Sequence, residues 1–157
     1  MIISIDIEDR PVLDTLADLQ RRSSDLSEPM ADIARLLRNT AEDSFQDEAD
    51  PWGRSWPDLS ERTKKAREKK GHWPGSILQV SGGLAASVTS GSGRDWASVG
   101  AAKVYAAIHQ FGGKAGRGRK VDIPARPYLP FNKDGDLPAA LHDDILEVLR
   151  GYFGVGL

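Results

Sequence analysis

Between Ser27 and Gln46 the sequence runs SEPMADIARLLRNTAEDSFQ, and its apolar residues Met30, Ile33, Ala34, Leu37, Ala41 and Phe45 recur at steps of three and four. That spacing puts them on one stripe of an α-helix, which must cover the stripe with other parts of the chain. Ser27 is a good residue for opening the helix, and Pro29 is tolerated in a first turn, where a missing N–H costs little. The rest of the fold is therefore constrained to supply a partner surface for a helix of about twenty residues.

The other elements follow by the same rules. Ile3, Ile5 and Ile7 alternate with Ser4, Asp6 and Glu8, the period of a half-buried strand. Asp9 can cap a first helix with Pro11 near its start and Val12, Leu13, Leu16, Leu19 and Leu26 on its apolar side. After the second helix, Pro51, Gly53 and Pro57 break regular structure, and Trp52 and Trp56 anchor an ordered loop. Ser60 then caps a short helix bearing Arg62, Lys64, Lys65, Arg67, Lys69 and Lys70, which Gly71 ends. This helix has no apolar stripe, so the basic segment of about 61–75 is expected to be flexible in a free subunit.

From Ile77 onward, β-prone pieces occupy 77–80, 86–90 and 96–99, and the last two read as a hairpin around the turn GSGRD. Residues 104–110 read as a short helix packed by Val104, Ala107, Ile108 and Phe111. Asp136 and Pro138 open a C-terminal helix aligning Leu137, Leu141, Ile145, Val148 and Leu149, with Gly151 as its stop. The fold class is α+β, with long helices from the N- and C-terminal segments packed on a small antiparallel β-sheet. A length of 157 residues suits one domain, 1–157, able to bury roughly two-thirds of its unfolded surface.

Cysteine is absent, which excludes disulfides and thiolate-held zinc. The start MIISIDIEDRPV has no basic leader and too few apolar residues for a signal peptide or a span, so no membrane association is expected. The net charge of −2 conceals an uneven distribution. Residues 1–50 carry 13 acidic and 5 basic side chains, and residues 51–157 carry 10 acidic and 16 basic. Opposite charges on different faces would let copies attract one another head to tail, a heterologous contact that closes into a ring or runs on as a filament.

Catalytic signals are weak. His72, His109 and His142 lie in unrelated contexts without ligand spacing, and no nucleophile elbow, phosphate loop or dinucleotide fingerprint is present. The expectation is no catalytic residue, no metal and no cofactor. The segment YAAIHQFGGKAGRGRKVDIPARPYLPF, 105–131, is more informative. Lys114, Arg117, Arg119, Lys120 and Arg126 make it a candidate interaction surface, for an acidic neighbour or for non-sequence-specific contact with DNA. A nucleic-acid-contacting module using 114–126 is the alternative reading, although no aromatic residues interleave with these charges and the sequence pI is near 5.9. Gly112, Gly113, Gly116 and Gly118 predict a flexible loop over 112–120. His109, Phe111, Gly112, Gly113, Pro124 and Pro127 bracket it as a candidate fold-setting motif, the prolines fixing backbone angles around Arg126.

Four blocks occur in order: Asp58-Leu59-Ser60 with Thr63 after the paired tryptophans; Ile77-Leu78 leading to Ser81-Gly82-Gly83-Leu84 and Ser87-Val88; Val99-Gly100 with Tyr105-Ala106 and Ile108 to Gly113; and Ile123 to Leu129. Together they resemble the phage virion morphogenesis family, the group of the Mu-like G protein and the tail completion protein S, from about Trp52 to the C-terminal helix. The resemblance implies a non-catalytic virion protein, encoded by a phage or prophage, that acts in tail completion or head–tail joining. It further implies partners among phage tail and head–tail connector proteins, a homo-oligomeric ring with a hexamer as one expectation, and a location in the virion after assembly in the host cytoplasm.

Overall fold

The computed structural model describes residues 10–154. The strand expected at Ile3 to Ile7 and its neighbour Asp9 lie outside the described residues. Helix α1 spans Arg10–Ser23 and α2 spans Ser27–Asp47. Asp25 opens α2, its carboxylate accepting from the Ser27 N–H at 3.0 Å and the Ser27 hydroxyl at 2.6 Å. The helix ends at Glu48 in the left-handed region, φ 51°.

The stripe on α2 is buried and divides between two clusters. Its N-terminal half, Ile33 and Leu37, packs with Leu141, Ile145, Val148 and Leu149 of α5, Ala139–Phe153. Its C-terminal half, Ala41 and Phe45, joins Trp56, Leu59, Ile77, Leu84, Val88, Ala106, Tyr128 and Leu129. Phe45 is the hub of this second cluster, with Trp56 edge-on at 5.6 Å and Tyr128 tilted at 5.0 Å. Each such large side chain removed from water contributes about 1.5–3 kcal/mol.

Strands β1, Val88–Ser92, and β2, Ala97–Ala101, form the expected antiparallel hairpin, registered from Val88 opposite Ala101 to Ser92 opposite Ala97, and it packs on α2. A second hairpin pairs β3, Gly113–Ala115, with β4, Val121–Ile123. The α+β class holds, with the β-structure shared between two separate two-stranded pieces rather than one sheet. Helix α3 covers Glu61–Glu68 and α4 covers Ala106–Phe111.

Several local expectations need correction. Residues 77–80 are not a strand: side chains capture this stretch, the Glu48 carboxylate accepting from the Ile77 N–H at 2.7 Å and Gln79 donating to the Phe45 carbonyl at 2.6 Å, while Leu78 sits at φ 61°. Val104 does not pack a helix; it is fully exposed, and α4 begins two residues later. Gly151 does not stop α5, which continues to Gly154, a left-handed cap whose N–H returns to the Arg150 and Gly151 carbonyls. Trp56 is the buried anchor, its indole N–H donating to the Pro127 carbonyl at 2.7 Å, whereas Trp52 stays part-exposed under Arg54. Finally, α1 buries no residue, and Val12, Leu13 and Leu16 face outward.

Candidate interaction surface

The segment 105–131 divides into a buried clasp and a projecting hairpin. The clasp centres on Gln110, a residue not singled out by sequence reasoning. Its Oε1 accepts from the N–H groups of Tyr128 at 3.0 Å and Leu129 at 2.9 Å, and its Nε2 donates to the carbonyls of Leu129 at 3.2 Å and Phe131 at 3.0 Å. One side chain thus bonds four backbone groups that no strand pairs, three of them in buried contacts. Tyr128 is fully enclosed beneath it, and that burial pushes its phenol up to about 12.

Arg126 belongs to this clasp, which corrects its expected place on the interaction surface. It is only 5% exposed, with Nε donating to the Pro57 carbonyl at 2.8 Å and Nη2 to the Asp58 carbonyl at 2.9 Å, while its own N–H donates to the His109 carbonyl at 2.7 Å. Burial, then the charge of Arg67, depress its pKa, and Asp58 opposes them. The guanidinium fork ties the 50s loop to the chain after β4. Pro127 takes part through its carbonyl, and Pro124 is exposed beside it.

His109 sits with its Nδ1 buried and without a hydrogen-bond partner among the described residues, beside the Tyr105 ring at 5.9 Å. Burial, and secondarily the positive Arg126, hold its pKa below the ordinary histidine value. Phe111 lies 6.5 Å from Phe131. Among the described residues no group of histidine or carboxylate side chains is arranged to hold a metal ion, and no helix is long and apolar enough to cross a membrane.

The hairpin begins where α4 ends. Gly112 has φ 70°, and a Cβ there would meet the Ala125 nitrogen at 2.9 Å, so glycine is required for the chain to turn out of the body. The 112–120 segment, expected to be a flexible loop, falls in a β-hairpin: Lys114 stands opposite Asp122 and Ala115 opposite Val121, and a 3₁₀ turn, Arg117–Arg119, forms the tip. Lys114, Arg117, Arg119 and Lys120 are exposed and make no ion pair among the described residues. The tip packs on β3, with the Arg119 N–H donating to the Gly116 carbonyl at 3.0 Å.

Helix α3 carries further positive charge but is fastened at its inner face. Ser60 caps it, accepting from the Thr63 N–H at 3.3 Å; Lys64 lies over the Trp73 ring and bonds Asp58 at 2.6 Å; Arg67 donates to the Ser76 carbonyl at 2.9 Å. These polar contacts replace the missing apolar stripe. Arg62, Lys65, Lys69 and Lys70 remain exposed.

A sequence model of the phage virion morphogenesis family matches residues 7–150. This chain belongs to that family. The "Putative capsid assembly protein G" of Escherichia phage Mu is 38% identical over 138 residues, covering 87% of this chain and 86% of that protein. The Mu-like prophage FluMu G protein 1 of Haemophilus influenzae is 39% identical over 122 residues, 75% of this chain and 78% of that protein. FluMu G protein 2 of the same organism is 49% identical over 79 residues, about half of each chain. No solved structure matches. The chain is thus a phage or prophage virion morphogenesis protein.

Proposed function

We propose that this chain is a structural subunit of a phage or prophage virion that acts in tail completion or head–tail joining, in several copies arranged as a ring. The observation that carries the reading is how the molecule uses its outer surface. A buried clasp leaves no polar group of Gln110 free for chemistry, while an amphipathic helix shows Val12, Leu13 and Leu16 to solvent and a hairpin presents four cations away from the body. Exposed apolar and charged features of this kind serve contact with other proteins. The relatives named for assembly and their similarity over most of the chain support the same reading. In this role the protein breaks no bond, needs no cofactor and resides in the finished particle after assembly in the host cytoplasm.

The test is deletion of the gene from the phage or prophage that carries it. Heads and tails should accumulate unjoined, or tails should lack their finished end, in electron micrographs, and the gene supplied in trans should restore infectivity. Normal infectious particles without the gene would end the proposal.

The four exposed cations on one hairpin, with Arg62, Lys65, Lys69 and Lys70 on α3, also support contact with DNA passing through such a ring. That reading predicts affinity for duplex DNA that falls steeply with salt and weakens when Lys114, Arg117, Arg119 and Lys120 are neutralised.

A further inference from the structure

Helices α2 and α5 leave between them a surface cleft of about 600 Å³. Its floor is apolar, with Pro29, Leu36 and Val148, and its rim carries Glu28, Asp32, Asp144 and Glu147. Asp32 is paired with Arg35 at 2.8 Å; Glu28, Asp144 and Glu147 make no ion pair among the described residues. The protein therefore carries an unneutralised acidic cleft and an unneutralised basic hairpin.

The two do not meet within one molecule: among the described residues none of the four hairpin cations pairs with Glu28, Asp144 or Glu147. The cleft uses the first turns of α2, from Glu28 to Leu36. The hairpin leaves the body at Gly112, pressed against Ala125, with Phe111 6.5 Å from Phe131 and Tyr128 5.0 Å from Phe45.

We propose that the β3–β4 hairpin of one copy seats in the α2–α5 cleft of the next, with Lys114, Arg117, Arg119 and Lys120 facing Glu28, Asp144 and Glu147. This deepens the assembly reading above and rests on it. The occupant is a second copy because this chain supplies both complementary halves, and because the acidic rim repels nucleic acid. The contact is heterologous: each copy gives a hairpin from one surface and receives one on another, which closes a ring or propagates a stack.

Charge reversal in both halves tests it. Arg117→Glu with Arg119→Glu, and separately Asp144→Arg with Glu147→Arg, should each weaken self-association at least tenfold by sedimentation velocity. All four residues are exposed, and circular dichroism checks that the fold is kept. Mixing the two variants should restore association, since the acidic hairpin of one fits the basic cleft of the other. Because the chain has no cysteine, Arg119→Cys in one copy and Glu147→Cys in another should also be joined by a short bis-maleimide linker in the mixture. A wild type that self-associates while both variants do so equally, or a mixture that stays apart, overturns this seat and leaves the assembly reading standing. Loss of duplex DNA binding by the hairpin variant with self-association intact assigns the hairpin to nucleic acid and also overturns the seat. A wild type that neither self-associates nor binds virion parts removes the assembly reading, and the seat with it.

Discussion

Gln110 shows how much of this fold depends on single polar side chains placed where water cannot reach. Its amide stands in for a strand partner along 128–131, so Gln110→Ala abandons two buried N–H groups and the part-buried Phe131 carbonyl, while the Leu129 carbonyl keeps the Phe131 N–H. Each orphaned group costs about 1–3 kcal/mol, and partial relaxation leaves an expected loss of about 3 kcal/mol or more in urea unfolding. A loss under about 1 kcal/mol would show that the clasp is dispensable. His109 gives a pH signature. Its pKa is lowered in the folded state, so as pH falls below about 6.5 the unfolded chain takes up the proton first and stability declines. Above that pH both states are neutral at this ring and it adds no slope. His109→Gln should flatten the melting temperature against pH between about 6.5 and 4.5, whatever its effect on absolute stability; an unchanged slope would assign the acid sensitivity elsewhere. Neither role could be read from residue type. A glutamine in a helical segment is neutral in propensity, and an arginine between prolines looks exposed; burial of Gln110 and Arg126 arises from the path of residues distant in the chain, Pro57 and Asp58 for Arg126. The signal available in advance was the pairing of the IHQFGG and IPARPYL blocks, without the contact that joins them.

At the scale of elements, what periodicity could specify was specified. The α2 stripe, the Ser60 cap of α3, the β1–β2 hairpin and the apolar line of α5 all follow from spacing and end signals that act over a few residues. Departures came where a side chain from elsewhere decided, as at Ile77 and Gln79, or where a local breaker was outweighed, as at Gly151. Helix α5 runs through Gly151 to Tyr152, whose hydroxyl donates to the Asp25 carbonyl at 2.8 Å and whose carbonyl accepts from Arg22 at 2.8 Å, and the stop falls to Gly154 at φ 69°. Gly151 has open space where a Cβ would stand, so Gly151→Ala should stabilise the isolated subunit by about 0.5–1 kcal/mol through helix propensity and a less free unfolded chain. Thermal melts should rise by about 1–4 °C; a lower melting point would mean that α5 is strained there. Gly112→Ala should do the opposite, since its φ of 70° and the 2.9 Å approach to Ala125 leave no room, at a cost of about 1–3 kcal/mol in the same melts.

For the whole molecule, the arithmetic of charge along the sequence proves a poor map of charge in space. The acidic excess lies in the first fifty residues, yet the cleft draws Glu28 and Asp32 from that part and Asp144 and Glu147 from the last helix, which sequence bookkeeping places in the basic portion. Helix packing unites them, while the basic residues of the β3–β4 hairpin stand apart from that cleft, pairing with none of its carboxylates among the described residues. The molecule also offers an apolar contact, the outward stripe of α1, and the two kinds of surface respond oppositely to salt. Screening shortens from about 10 Å at 0.1 M to about 3 Å at 1 M and weakens contacts between exposed charges, whereas apolar association is maintained or strengthened, especially with sulfate. Sedimentation velocity across a sodium chloride series should move the association midpoint to at least tenfold higher protein concentration between 0.05 and 1 M if hairpin and cleft dominate assembly. A midpoint that holds or falls as salt rises would give the dominant contact to α1 instead, and Leu16→Asp, which costs the isolated fold little because the side chain is exposed, would then be the variant that disperses the oligomer.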